Sequence, residues 1–255
     1  MIDIHAQPSA HWGIRPVLFE AWGVPISSYA AFITLGVMAG LISLRLRTKK
    51  YGDTSGNNVP LILAALFGGI LGAKVPIWIV YYREILNALP DLTLLLSGRT
   101  IVGGLIGGTI AVRIARQKLG FRERRGNLFA PSIALGISIG RLGCFFQGCC
   151  YGTETDLPWS VNLGDGLQRH PVQLYEACFC FILFCVLYRI PPTRFKQGLL
   201  FDGFMISYFT FRFFEEFIRT DHEIVYGLSF FQWVSIAVVL WFSARLCSIG
   251  RFGKL

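Results

Sequence analysis

The chain has 255 residues, 53% of them hydrophobic and only 15% charged, whereas a soluble domain carries about 25% charged residues. With a mean hydropathy of +0.53, that balance excludes a water-soluble globular domain. The net charge of +9 raises the question of a nucleic-acid surface, which the placement of the basic residues answers in the negative.

Residues 1–25 hold Asp3 and Glu20, with no basic n-region and no early apolar core. They read as an exposed or interfacial leader, not a cleavable signal peptide. Seven apolar stretches follow, at 26–44, 59–82, 100–115, 128–146, 174–189, 199–217 and 228–246. They approach the length at which a helix crosses a roughly 30 Å hydrocarbon core, the third and fifth being short. Arg45, Arg47, Lys49 and Lys50 follow the first stretch. Arg113, Arg116, Lys118, Arg122, Arg124 and Arg125 lie between the third and fourth. Arg189, Arg194 and Lys196 lie between the fifth and sixth, and Arg245, Arg251 and Lys254 follow the seventh. All fall on one side of a seven-span arrangement, which the positive-inside rule makes cytoplasmic, with the N-terminus outside and the C-terminus inside. The expected fold is therefore all-α: a polytopic membrane bundle of about seven helices, forming a single domain over 1–255. The basic clusters are topology signals and anionic-lipid contacts, with no nucleic-acid partner.

Gly68 and Gly72 in the second span and Gly103, Gly104, Gly107 and Gly108 in the third give small-xxx-small spacing, which lets helix backbones approach closely in lipid. Gly120 and Gly126 punctuate the basic loop as turn residues. Ionisable residues are more informative, because each costs ~2.5–3.5 kcal/mol or more at the bilayer centre unless it finds a partner. The sixth span ends TFRFFEEFIRTD, where Arg212, Glu216 and Arg219 are spaced to share one helix face. This is either an ion-pair ladder anchoring the helix end or part of a site. The fifth span opens HPVQLYEA, with His170, Gln173 and Glu176, and Pro171 suits a first helical turn. Arg141 sits at the outer end of the fourth span in GRLGCFFQGCCYG, Arg99 enters the third from the same side, and Tyr29 lies near the outer end of the first. Four arginines on one side of a bundle need neutralisation, and guanidinium forks suit phosphate oxygens. A phospholipid headgroup is the expected ligand.

With these residues in place, the chain resembles the prolipoprotein diacylglyceryl transferase family. The resemblance runs through ISSYAAF, LGAK, GGLIGG, GRLG, HPVQLYEA and FRFFEEFIR in that order. It implies transfer of the diacylglyceryl group of phosphatidylglycerol to the lipobox cysteine thiol of a bacterial prolipoprotein, in the cytoplasmic (inner) membrane, with release of glycerol phosphate. It further implies that Arg141 and Arg212 bind phosphatidylglycerol, with Arg219 and Gln147 beside them, and that Arg212, Glu216, His170 and Tyr29 serve catalysis. Gln173, Tyr175 and Glu176 match the HP-QLYE element. The chemistry calls for no cofactor and no metal, nor for a cysteine of the enzyme, since the reacting sulfur belongs to the substrate.

The signature departs from the family pattern G-R-x-G-N-F-x-N-G-E at three positions: Cys144 and Gln147 replace asparagines and Cys149 replaces the glutamate. Val102 also stands where the family carries a histidine before its Gly-Gly. His170 or Glu216 then supplies a base, or positioning and arginine electrostatics suffice. For Cys144, Cys149 and Cys150 four readings stay open: weakly polar replacements in a transferase pocket, a disulfide, a metal site, or thiol chemistry at Cys149 and Cys150 in a diverged relative. The metal reading lacks a second ligand pair at finger-like spacing. A non-catalytic phospholipid-binding protein is the further alternative. Cys178, Cys180, Cys185 and Cys247 are expected to act as small apolar residues.

Overall fold

A computed structural model describes residues 14–51, 58–87, 98–121, 123–163, 166–219 and 224–251. Among these are eight α-helices: α1 (Ser28–Tyr51), α2 (Val59–Val80), α3 (Tyr82–Asn87), α4 (Ile101–Lys118), α5 (Gly126–Gln147), α6 (Val172–Arg189), α7 (Leu199–Glu215) and α8 (Phe230–Arg251). Each of the seven apolar stretches overlaps one of these, α3 being a short addition after Tyr81. Five helices are long and apolar enough to cross a membrane: α1, α2, α5, α6 and α8. Arg113, Arg116 and Lys118 crowd the end of α4, and α7 has 17 residues. Phe67, Ile70, Phe181, Ile182, Leu240 and Trp241 are all exposed, as lipid-facing side chains must be.

The chain forms two compact units, one of Asp3–Gly52 with Arg125–Leu255 and the other of Asp53–Arg124. In the larger unit α1 and α5 run antiparallel in close contact. A Cβ on Gly36 would stand 2.7 Å from the Gly136 carbonyl oxygen, and one on Gly143 would stand 2.7 Å from Cβ of Phe32. Without a hydrophobic effect between helices in lipid, such backbone proximity supplies the packing energy. Helix α6 joins through Ser138 Oγ, which donates to the Ala177 carbonyl at 2.8 Å. Helix α8 joins α7 through Arg245 Nη1 and Asp202 Oδ1 at 3.3 Å.

Arg47 on α1 is fully buried. Its guanidinium donates to the carbonyls of Tyr188 at 2.8 Å and Ile190 at 2.6 Å, satisfying acceptors that the end of α6 leaves without intrahelical partners. A basic residue expected to mark the cytoplasmic surface is thus an interior tie. Asn127 extends it, donating to Pro192 O at 2.8 Å and accepting from Leu200 N at 2.9 Å. Gly126, expected in a turn, is the first residue of α5, where a Cβ would lie 2.7 Å from Cβ of Phe201.

The smaller unit is built on the glycine spacing. A Cβ on Gly72 would lie 2.5 Å from the Gly103 carbonyl oxygen, and one on Gly68 would lie 2.7 Å from that of Gly107. Thr100 caps α4, its hydroxyl accepting from Gly103 N at 3.1 Å while its own N–H donates to Ala73 O at 2.9 Å. Arg99 is exposed and Val102 buried in this unit. Of the leader, residues 1–13 lie outside the described residues. Strands β1 (Val17–Ala21) and β2 (Val24–Ser27) form a hairpin with Trp22 fully exposed at its turn.

Candidate functional site

Three helices of the larger unit bring buried polar side chains together. Arg141, one and a half turns before the end of α5, is 6% exposed, while Glu176 on α6 and Tyr208 on α7 are completely buried. Arg141 Nη2 stands 2.6 Å from Glu176 Oε2, and the Tyr208 hydroxyl donates to Glu176 Oε1 at 2.7 Å. Each group is expensive to bury alone, and a charge left without its partner in such a setting costs about 3–5 kcal/mol. The three are therefore obligatory neighbours.

One turn beyond Tyr208, Arg212 donates through Nη2 to Glu216 Oε2 at 2.6 Å and through Nη1 to Glu215. Both carboxylates are buried. Ser229, buried just before α8, offers its hydroxyl to Glu216 Oε1 at 3.4 Å. The helix expected to carry Arg212, Glu216 and Arg219 on one face ends at Glu215. A 3₁₀ turn, Glu216–Ile218, follows, and Arg219 is extended and bridged to Gly152. Arg219 Nε still reaches to 3.9 Å from Glu216 Oε2, so the polar set holds by a different backbone route. Gly152 makes the bridge possible: a Cβ there would come within 2.6 Å of the Ile218 carbonyl oxygen and 2.7 Å of Cβ of His170.

The arginines were expected to need a ligand for neutralisation, yet the protein's own carboxylates neutralise Arg141 and Arg212. Glu215 and Tyr208 were not singled out in the sequence. Glu215 stands three residues after Arg212, a spacing that shares its helix face, and Tyr208 is one of many aromatic residues. What marks the region as more than a packed ion-pair cluster is its remaining polar capacity. The buried Arg141 Nε and the amide oxygens of Gln147 and Gln173 have no hydrogen-bond partner among the described residues. Gln173 meanwhile donates to the Cys149 carbonyl at 2.6 Å. A ligand offering both an anionic acceptor and hydroxyl donors suits that set.

His170 joins a peripheral network, its Nδ1 3.3 Å from the Tyr175 hydroxyl, which also accepts from Trp159 Nε1 at 2.7 Å. It is half-buried and approaches the arginine set through Gly152. Tyr29, in the first turn of α1, lies against Gly143: a Cβ on that glycine would stand 3.4 Å from the Tyr29 Cα.

The cysteines follow from how α5 ends. Gly148 takes a left-handed conformation, φ 72°. Its N–H donates to Phe145 O at 3.0 Å and that of Cys149 to Cys144 O at 3.1 Å. This is a Schellman motif, which sets Cys149, five residues after Cys144, against the last turn of the helix. The Cys-x4-Cys spacing is therefore the spacing of a helix stop. Cys150 is also left-handed, φ 63°, and the three sulfurs lie within 4.8 Å of one another. All seven cysteines are free. Hydrogen bonds from Cys144 and Cys149, with Arg219 and Arg141 nearby, hold the Cys150 thiol well below the usual range. Hydrogen bonding to Cys144 and Cys150, together with burial, pushes Cys149 up. Elsewhere Cys180 is buried, whereas Cys178 and Cys247 are exposed.

The family model described as prolipoprotein diacylglyceryl transferase matches residues 16–247. A phosphatidylglycerol–prolipoprotein diacylglyceryl transferase of Clostridium tetani is 34% identical over 249 residues, covering 94% of this chain and 100% of its own. Its counterpart in Finegoldia magna is 35% identical, covering 88% of this chain and 91% of its own. That of Bordetella parapertussis is 32% identical, covering 89% and 92%. The chain belongs to the prolipoprotein diacylglyceryl transferase family.

Proposed function

We infer that this membrane enzyme transfers the diacylglyceryl group of phosphatidylglycerol to the lipobox cysteine of a prolipoprotein, in the bacterial inner membrane. The observation that carries the site assignment is the buried set of Arg141 and Arg212 with Glu176, Glu215 and Glu216, half-buried Arg219 beside it, which retains partnerless polar atoms on Arg141, Gln147 and Gln173. Arg141 and Arg212 engage the phosphodiester, Arg219 sits beside them, and Gln147 accepts a headgroup hydroxyl. The carboxylates hold the guanidinium groups in place before the lipid arrives, which is preorganisation of the kind that stabilises developing charge.

In the reaction the peptide sulfur attacks the glycerol carbon of the diacylglyceryl group. The sulfur–carbon bond forms as the carbon–oxygen bond to phosphate breaks, and the electron pair leaves on a phosphate oxygen as glycerol phosphate. The thiol must first lose its proton, because the thiolate is the nucleophile. His170 accepts it in this scheme. Glu216, committed to Arg212, Ser229 and Arg219, is an orienting group instead. Tyr29 lines the approach from α1. The basic loops support an orientation with the N-terminus outside and the C-terminus inside, all seven long helices spanning.

The test is reconstitution of the purified protein with phosphatidylglycerol and a lipobox peptide, followed by mass spectrometry of the peptide. A diacylglyceryl adduct on the peptide cysteine is expected. Its absence from a folded, lipid-loaded protein would refute the assignment.

A further inference from the structure

We propose that Cys144, Cys149 and Cys150 form a three-thiolate binding site for a thiophilic d¹⁰ cation of the Zn²⁺ or Cu⁺ class. Zinc–sulfur bonds of about 2.3 Å place thiolate sulfurs about 3.8–4.0 Å apart in tetrahedral or trigonal geometry. The three sulfurs already lie within 4.8 Å of one another, so ligation requires only a small contraction. Soft thiolate donors select such cations over magnesium or calcium.

Backbone geometry builds the cluster. The Schellman stop brings Cys149 onto Cys144, and a further left-handed residue turns Cys150 toward the same point. The other non-glycine residues with positive φ, Trp22 and Tyr226, each precede a glycine in a two-residue hairpin turn, where such angles are ordinary. Cys150 occupies no hairpin, and backbone strain of this kind collects at ligand clamps. The turn is also held from outside, by the 2.6 Å bond from Gln173 to the Cys149 carbonyl.

The charge balance is favourable. A divalent ion held by three thiolates forms a complex of net charge −1, the protons of the neutral thiols passing to water, with no electron transfer. Arg141 Nη1 stands 3.9 Å from Cys144 Sγ, and the Arg219 backbone pairs with Gly152, two residues past Cys150. Finger-like spacing is unnecessary here because one turn supplies all three donors. Occupancy would also anchor the end of α5 that presents Arg141 and Gln147.

The test uses the full-length protein, reduced and purified in detergent under anaerobic conditions. Cd²⁺ serves as an optical probe through its thiolate-to-metal charge-transfer absorption, and Zn²⁺ as competitor. One Cd²⁺ per chain, displaced by Zn²⁺, is expected. Cys150→Ser should weaken binding by more than about 100-fold, beyond the 10–100-fold typical of losing an outer-shell partner. A variant with Cys178, Cys180, Cys185 and Cys247 all replaced by Ser should keep it. A second measurement needs no variant: Zn²⁺ should protect Cys144, Cys149 and Cys150 from alkylation, read by peptide mass spectrometry, while Cys178 and Cys247 react equally with and without the ion. Absence of both absorption and protection would overturn the proposal. So would absorption that survives Cys150→Ser but is lost with the other four cysteines, or a disulfide within the triad that persists under reduction.

Discussion

Arg47 and Arg141 are both buried arginines, on antiparallel helices that pack side by side, yet they serve opposite ends of the bundle. Arg47 lies near the start of α5, where it reaches the carbonyls of Tyr188 and Ile190 and stacks over the rings of Tyr51 and Tyr188. Arg141 lies fourteen residues beyond Asn127 on α5, about 21 Å along the axis, and faces a carboxylate. The first guanidinium completes a helix terminus, while the second belongs to a network of three arginines and three glutamates. Burial of a cation is therefore not a functional signal in itself. The chemistry of its partners separates a structural tie from a binding site: backbone carbonyls surround Arg47, whereas a carboxylate faces Arg141.

This contrast is open to direct attack. The largest expected effect is on Arg141→Ala and Arg212→Ala, each lowering diacylglyceryl transfer by about 10²–10³-fold, as loss of a preorganised electrostatic donor does. Arg212→Lys should recover little, since a point charge cannot fork to two carboxylates. Because Arg141→Ala strands a buried Glu176, the double variant Arg141→Ala/Glu176→Gln should regain thermal stability without regaining transfer. Turnover restored along with stability would make Arg141 as structural as Arg47.

Tyr208→Phe removes one hydroxyl donor to Glu176. A hydrogen bond to a charged group contributes about 1.5–3 kcal/mol, so transfer should fall about ten- to a hundredfold with lipid affinity largely kept. Tyr175→Phe loses the contacts to His170 and Trp159 and should cost less than about tenfold, on the usual 0.5–1.5 kcal/mol for such bonds. Arg47→Leu should leave transfer per folded molecule unchanged. Its cost appears in thermal unfolding in detergent, about 1–3 kcal/mol for each carbonyl left unsatisfied. A selective loss of transfer in Arg47→Leu would erase the distinction between the two ends.

Much was legible without coordinates because lipid imposes strong rules. Long apolar runs must be helices, and small residues at four-residue spacing must be contacts: Gly68, Gly72, Gly103 and Gly107 are where α2 and α4 nearly touch. Arg141, Glu176, Arg212 and Glu216 stood out because ionisable groups in such runs require partners. Tyr208 did not, since its partner Glu176 lies on another helix; Glu215 was passed over although its i,i+3 spacing from Arg212 was readable. Periodicity predicted one face for Arg212, Glu216 and Arg219, but the 3₁₀ turn and the Gly152 bridge carry Arg219 instead.

The sequence by itself determined the helical membrane class, the family and the ionisable residues that need partners, since burying charge in hydrocarbon restricts composition strongly and locally. Only the tertiary structure decided which charges cancel, that Arg47 ties a helix end, and that a helix stop gathers three thiols. Those outcomes depend on distances between segments far apart in the chain and on the sign of a few backbone angles, which residue identity leaves free.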